Sequence, residues 1–333
     1  MTKVIAFIMS FLMTLVPYAG FASPVIDVKE DDCLFNIEMI SDVHVEAGWP
    51  FRCGFIKQAF NSFKYAKRSV DAVVMAGDIT NYADEASLKQ YYDTIKQYDY
   101  PVITVAGNHD IGHVGDRGKS DITKYEALAN VIKYYNDYSK RQLETNYYAE
   151  TIGGYKFITL GDEVDGFTIE DGVEKEHTGG HWDGITMTHK QLEFLDEELK
   201  NRDQTKPVFV CCHWALDGIN GEDTIWDGSG IDRDEYDIQS ILEKYENVVY
   251  ISGHMHGGVR CTAAGEKYNM PMAQKVNGVI YISLPSFGIV NMFGIPWSGT
   301  GAQLEIYEGK IIFRPRNYLT GKWYENAVYE FEY

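Results

Sequence analysis

Short apolar runs alternate with longer amphipathic stretches from residue 34 to about residue 285. The runs predict strands at Leu34–Ser41, Asp71–Ala76, Pro101–Ala106, Tyr155–Leu160, Pro207–His213, Val248–Ser252 and Val279–Leu284. The amphipathic stretches predict helices at Gly54–Ser69, Asp84–Tyr98, Asp121–Tyr135, His189–Asn201 and Asp234–Tyr245. Thr188 with Gln191 three positions on is a capping-box pattern, and Ser120-Asp121-Ile122-Thr123 marks the start of the third helix. Strands alternating with helices predict a layered α/β domain with much parallel pairing.

After residue 300 the pattern changes to a hairpin, Gln303–Tyr307 and Lys310–Pro315 around Glu308-Gly309, then a last strand at Ala327–Glu332. The expected organisation is a domain over 30–300, with strands of 301–333 packed on it. Two polar, Gly-rich stretches, Gly161–Ile185 and Asp217–Arg233, read as long loops. Each carries a tryptophan among acidic residues, Trp182 and Trp226, and each is either a solvated excursion or a wall of a substrate cleft.

The first 22 residues follow a different pattern. Lys3 precedes an apolar run from Val4 to Val16, then Pro17 and Gly20-Phe21-Ala22, as in a secretory signal cleaved after Ala22. A run this short falls below the ~20 residues needed to span a bilayer. The expectation is a protein exported to the periplasm or the cell exterior, with no stable membrane insertion after cleavage.

Charge narrows the function classes. Thirty Lys+Arg against 49 Asp+Glu give a net charge of −19 over 333 residues, which disfavours binding to nucleic-acid phosphates. An anionic substrate would need local positive charge, most simply bound metal. Five cysteines (Cys33, Cys53, Cys211, Cys212, Cys261) leave at least one unpaired within a monomer, and no CxxC occurs. A Cys33–Cys53 bridge is one option.

Five short motifs sit where expected strands run out into loops: Asp42-Val43-His44, Gly77-Asp78, Gly107-Asn108-His109-Asp110, His213 and Gly253-His254-Met255-His256. The carboxyl ends of parallel strands converge on one sheet edge, where open α/β sheets place their sites. Imidazole nitrogens with carboxylate and amide oxygens suit Mn, Fe, Co, Ni or Zn. Asp42, His44, Asp78, Asn108, His213, His254 and His256 are too many for one tetrahedral ion and enough for two sharing a carboxylate. Two dications, two aspartates and a bridging hydroxide sum to about +1, which attracts phosphate; such a pair of ions lowers the pKa of the water between them and readies it for in-line attack.

This order of motifs (DxH, GD, GNHD, H, GHxH) resembles the calcineurin-like metallophosphoesterases over about residues 36 to 285. The resemblance implies a four-layer αββα sandwich. It implies one metal held by Asp42, His44 and His256, a second by Asn108, His213 and His254, and Asp78 bridging. His109 would stand by the leaving group as acid or charge stabiliser, held by Asp110. Many members carry a second acidic residue three after the bridging aspartate; Asn81 stands there. That asparagine and the retained His44 argue against a purple iron–tyrosinate centre.

The expected function is hydrolysis of a small organic phosphate, mono- or diester, with the bridging hydroxide as nucleophile. A cyclic-nucleotide phosphodiesterase or nucleotidase is an alternative, and a non-catalytic metal- or ligand-binding module is another of a different class. Arg52 and Arg260 are candidates for holding phosphate or are ordinary surface arginines. His113 and His181 are candidate substrate contacts, whereas His177 and His189 are expected to face solvent. Trp49, Trp182, Trp214 and Trp226 either stack on a base or sugar or cap the core.

Overall fold

The computed structural model describes residues 32–63, 69–111, 122–170, 172–179, 185–222, 230–231, 236–259, 271–289, 291 and 297–333. The expected leader at 1–22, His113, His181, Trp182, Trp226, Arg260 and Cys261 lie outside them.

A 7-stranded sheet has the order β14 (Lys322–Trp323), β13 (Lys310–Asn317), β12 (Thr300–Tyr307), β1 (Phe35–Ile40), β2 (Ala72–Ala76), β3 (Val102–Val105), with β15 (Tyr329–Glu332) also paired to β13. A 6-stranded sheet has the order β10 (Ala273–Val276), β11 (Val279–Ser283), β9 (Val248–Ser252), β8 (Val208–Cys211), β5 (Tyr155–Thr159), β4 (Tyr148–Ile152). Strands β1, β2 and β3 run parallel, as do β5, β8, β9 and β11. Of these, β1, β2, β3, β8 and β9 carry the expected site motifs at their carboxyl ends.

Side-chain alternation sorts the core into layers. Phe157, Phe209, Cys211, Val249, Ile251, Ile280 and Ile282 of the 6-stranded sheet face the main cluster shared with the 7-stranded sheet. Their neighbours Ile158, Val208, Val210, Val248, Tyr250, Val279 and Tyr281 point the other way. That outer face is covered by Leu195 and Leu199 of α5 (His189–Lys200) and by Ile238, Ile241 and Leu242 of α6 (Ile238–Glu243). On the other side α1 (Phe51–Phe63), α2 (Glu85–Ile95) and α4 (Lys124–Ser139) bury Ile56, Phe60, Leu88, Tyr91 and Val131 into the main cluster. The order is helices, sheet, sheet, helices: a mixed α/β sandwich.

Several boundaries differ from the sequence expectation for local reasons. Helix α1 starts at Phe51, earlier than expected, directly after Pro50, whose missing N–H costs nothing at a helix start. Helix α4 starts at Lys124, because Thr123 and Glu126, rather than Ser120, form the capping box. The stretch Gly161–Ile185 is not all loop: β6 (Gly166–Glu170) and β7 (Val173–His177) pair as an antiparallel hairpin. Tyr125 Oη and the Gly179 N–H donate to Asp165 Oδ1 at 2.6 and 3.0 Å, tying the hairpin to α4. Strand β12 lies antiparallel beside β1, with Ile37 opposite Leu304. No disulfide joins any of the four described cysteines. Among the described residues no helix is long and apolar enough to cross a membrane.

Candidate metal centre

The site lies where β1, β2 and β3 of one sheet and β8 and β9 of the other run out together. Backbone pairing continues past the strand ends. Asp42, His44 and Val45 donate to the carbonyls of Gly77, Asp78 and Ile79 at 3.0, 2.8 and 2.9 Å, and Gly253 donates to His213 at 2.9 Å. The two sheets are stitched at this edge by Phe287 donating to the Ser41 carbonyl and Gly288 to the Asp42 carbonyl, each at 2.9 Å. Ser286 Oγ reaches the same Asp42 carbonyl at 3.3 Å. The Ser286 N–H donates to Asn291 Oδ1 at 2.6 Å, and this Ser286–Asn291 brace lies past the last residue-type signal of the sequence, where serine, glycine and asparagine look like any loop.

Tight exits require unusual backbone. Asp42, His44, Asp78, His254 and His256 all sit in the left-handed region, at φ 56°, 53°, 49°, 67° and 44°. Such conformations cost about 1–3 kcal/mol each and cluster at functional sites. Gly107 is required by proximity: a Cβ there would strike Asp78 Oδ1 and the His213 ring. Gly253 is required likewise, since a Cβ would strike Ser41 Oγ and come within 2.8 Å of Asp42 Oδ2.

All seven expected ligand residues are buried and brought together. Single ligand atoms of Asp42, His44, Asp78 and His256 lie within 4.8 Å of one another. His256 Nε2 is 2.8 Å from Asp42 Oδ1, and His44 Nε2 is 3.5 Å from His256 Nε2. Asp78 faces both ways: Oδ2 is 3.6 Å from His44 Nε2, and Oδ1 is 3.4 Å from His213 Nε2. On that second side His254 Nδ1 and Asn108 Oδ1 are 3.0 Å apart. His213 Nδ1 meets the Ala76 carbonyl at 2.8 Å, which turns Nε2 inward, the kind of outer contact that orients metal-binding imidazoles.

The donor set fits divalent cations. Burial pushes the Asp42 carboxyl up, but His256 and His213 outweigh it and hold it near about 2. Asp78, also pushed up by burial, is held well below the usual carboxylate range by His213, His109 and His44. Burial lowers His44 and His254 to about 3, so both imidazoles are neutral lone-pair donors at neutral pH. His213 is the exception: despite burial, Asp78 and Asp42 raise it to about 9. The two carboxylates recruit a proton where a metal ion would serve the same charge. Asp42 Oδ2 is buried with no hydrogen-bond partner among the described residues, an orphan acceptor of the kind a cation satisfies.

His109 is half-buried beside this fully buried set. Its backbone N–H donates to Asp78 Oδ1 at 2.9 Å, its Nδ1 lies 3.3 Å from the Asn81 carbonyl, and its ring meets His44 edge-on at 4.7 Å. The sequence reading placed Asp110 behind His109; the structure places that carboxylate on the loops instead. It accepts from Gly107 N–H, Ile79 N–H, Thr80 N–H and Thr80 Oγ1 at 2.9, 3.1, 2.8 and 2.7 Å. Those four donors fill its acceptor capacity, so Asp110 ties the GD loop to the GNHD loop. Arg52 points its Nη1 at the His44 carbonyl rather than into open space. Trp214 is wholly buried in the core, whereas Trp49 is exposed and meets Phe51 edge-on. His189 is exposed and stacks on Phe167; half-buried His177 shares a hydrogen bond with Thr168 Oγ1.

Comparison with known proteins agrees with this geometry. A purple acid phosphatase from yellow lupin (Lupinus luteus) superposes with a TM-score of 0.59 at 16% identity, over 90% of this chain and 53% of that one. The chain thus spans about half the length of that protein. An uncharacterized protein from Streptococcus pneumoniae described as a predicted phosphoesterase superposes with a TM-score of 0.40 at 12% identity, over 90% of this chain and 98% of that one. No curated protein is similar enough in sequence to count as a match. The family model for calcineurin-like phosphoesterases matches residues 35–258, which hold all five strand-end motifs, and the chain belongs to that family of metal-dependent phosphoesterases.

Proposed function

We propose that this protein is an exported hydrolase of a small organic phosphate ester, working with two divalent cations. The observation that carries the reading is Asp78, whose two carboxylate oxygens address separate histidines, His44 and His213, on opposite sides. One set would comprise Asp42, His44 and His256, the other Asn108, His213 and His254, with Asp78 shared. Bound divalent cations would neutralise phosphoryl oxygens and activate water for in-line attack.

This chain's own residues supply the rest. The left-handed exits at Asp42, His44, Asp78, His254 and His256 pre-organise the donors, so little reorganisation is left to binding. His109, half-open beside the buried donors, is placed to give a proton to the leaving oxygen. Asp110 holds the loop that carries it. Export is supported by the leader pattern of residues 1–22.

The test is a panel of phosphate mono- and diesters offered to the full chain loaded separately with Mn, Fe, Co, Ni or Zn. Turnover of at least one ester is expected with at least one metal. Metal binding without hydrolysis of any ester would instead mark a binding module on an enzyme scaffold.

A further inference from the structure

Asn81 stands where many family members carry an acid, and its side chain has two distinct partners. Its carboxamide oxygen lies 3.0 Å from His44 Nδ1, and its amide nitrogen donates to Glu46 Oε2 at 2.9 Å. The two ends of a carboxamide have nearly the same shape, so hydrogen bonds decide which end faces which neighbour. A carboxylate only accepts. Glu46 therefore claims the NH₂ end and turns the oxygen toward His44.

An oxygen facing Nδ1 requires the proton on Nδ1, which leaves the Nε2 lone pair aimed at Asp78 Oδ2 and His256 Nε2, 3.6 and 3.5 Å away. The frame around this relay is fixed. The Asn81 N–H donates to the Val45 carbonyl at 3.1 Å, and Arg52 donates to the carbonyl of His44 itself. We propose that Glu46 is a positioning residue of the metal centre: acting through Asn81, it fixes His44 as the Nδ1–H tautomer and keeps Nε2 available to a divalent cation. An aspartate at position 81 would need no such help, because both its oxygens accept. The asparagine does.

The proposal rests on the metal-centre reading, and the test separates the two. The full chain is labelled with ¹⁵N-histidine and stripped of metal, and tautomers are read from two-bond ¹H–¹⁵N couplings. The His44 signal is assigned by its loss in His44→Ala. The native chain should show Nδ1–H. Glu46→Ala should let the Asn81 amide flip, giving a mixture with Nε2–H, and should weaken Mn(II) binding by roughly 10- to 100-fold, as loss of an outer partner does. Asn81→Asp in the Glu46→Ala background should restore both the tautomer and the affinity; a merely structural role for Glu46 would not be rescued this way. If Glu46→Ala does not fold, Asn81→Leu should give the same tautomer mixture. Pure Nδ1–H with unchanged Mn(II) affinity in the folded variant, or no rescue by aspartate, would overturn the proposal. A native chain that binds no Mn(II) would sink the metal-centre reading, while the tautomer result still decides the role of Glu46.

Discussion

Glu38 and Asp42 are four residues apart on and just past the same strand, and both carboxylates are buried, yet the protein treats them in opposite ways. Glu38 sits mid-strand. Arg316 Nη1 donates to one of its oxygens at 3.0 Å and Tyr318 Oη to the other at 2.7 Å. The guanidinium in turn reaches Ser62 Oγ at 3.1 Å and lies between the Tyr318 and Trp323 rings, 4.5 and 4.6 Å from their centroids. Among the described residues, the Asp42 carboxylate meets the imidazoles of His256 and His213, has one oxygen without a hydrogen-bond partner, and occupies strained backbone. A buried carboxylate matched by arginine and hydroxyl is a finished structural pair. A buried carboxylate surrounded by imidazoles, with one oxygen left over, has the donor chemistry of half a cation site.

The contrast is broken most directly at Asp78. On the proposed two-cation reading, Asp78→Asn keeps the shape and removes the negative charge that both halves of the centre would share, so occupancy of both metals should fall. Activity should drop by about 10³-fold or more if several kcal/mol of charge stabilisation depend on them. Elemental analysis still showing two tightly held metals per chain would contradict the shared role. His109→Ala should leave metal content intact and slow turnover by roughly 10²–10⁴, the usual range for a positioned acid. The loss should shrink for nitrophenyl esters, whose leaving group needs little protonation; metal loss comparable to Asp78→Asn would make His109 a ligand instead.

The two regions also differed in how much the sequence disclosed. The candidate metal-site residues were legible because five short motifs, each weak alone, fall in this order at five expected strand ends. What positions them was not: the left-handed backbone, the Ser286–Asn291 brace and the Glu46–Asn81 relay use residue types common in any loop. The family resemblance implies that Asp110 holds His109, its neighbour in sequence. Adjacent side chains point apart, and this one points at the neighbouring loop. Strand β7 was missed because Val173, Glu174, Lys175 and Glu176 are all exposed, leaving no alternation to read. The Glu38–Arg316 pair was invisible because its members lie 278 positions apart.

That pair gives the next prediction. Glu38→Ala strands a buried guanidinium and should cost about 3–5 kcal/mol of stability, with metal content and activity per folded molecule unchanged. Replacing Glu38 and Arg316 together by methionine should cost less than Glu38→Ala alone, because no charge is left unpaired. Denaturant unfolding of the three proteins decides it. An equal or larger loss in the double variant would mean that the pair does more than neutralise itself.

A third buried carboxyl, Asp162, has neither solution, and its effect should be the smallest. Val164 and Thr186 N–H groups donate to Oδ1 at 3.1 and 3.0 Å, while Oδ2 has no hydrogen-bond partner among the described residues. Burial pushes its pKa up to about 6 from the ordinary 3.8, against those two hydrogen bonds. A folded-state pKa above the unfolded one means that the folded state prefers the protonated form. The stability this contributes is fully present below about pH 4 and lost as pH rises through about 6. Two units correspond to a pH-dependent contribution of at most about 3 kcal/mol. Asp162→Asn cannot titrate and keeps an acceptor for the two N–H groups. Relative to the native chain it should therefore be more stable at pH 7.5 than at pH 4, whatever its absolute stability. Melting temperatures of both proteins at the two pH values test this, and a difference between them that does not change with pH would show that folding leaves the Asp162 carboxyl unshifted.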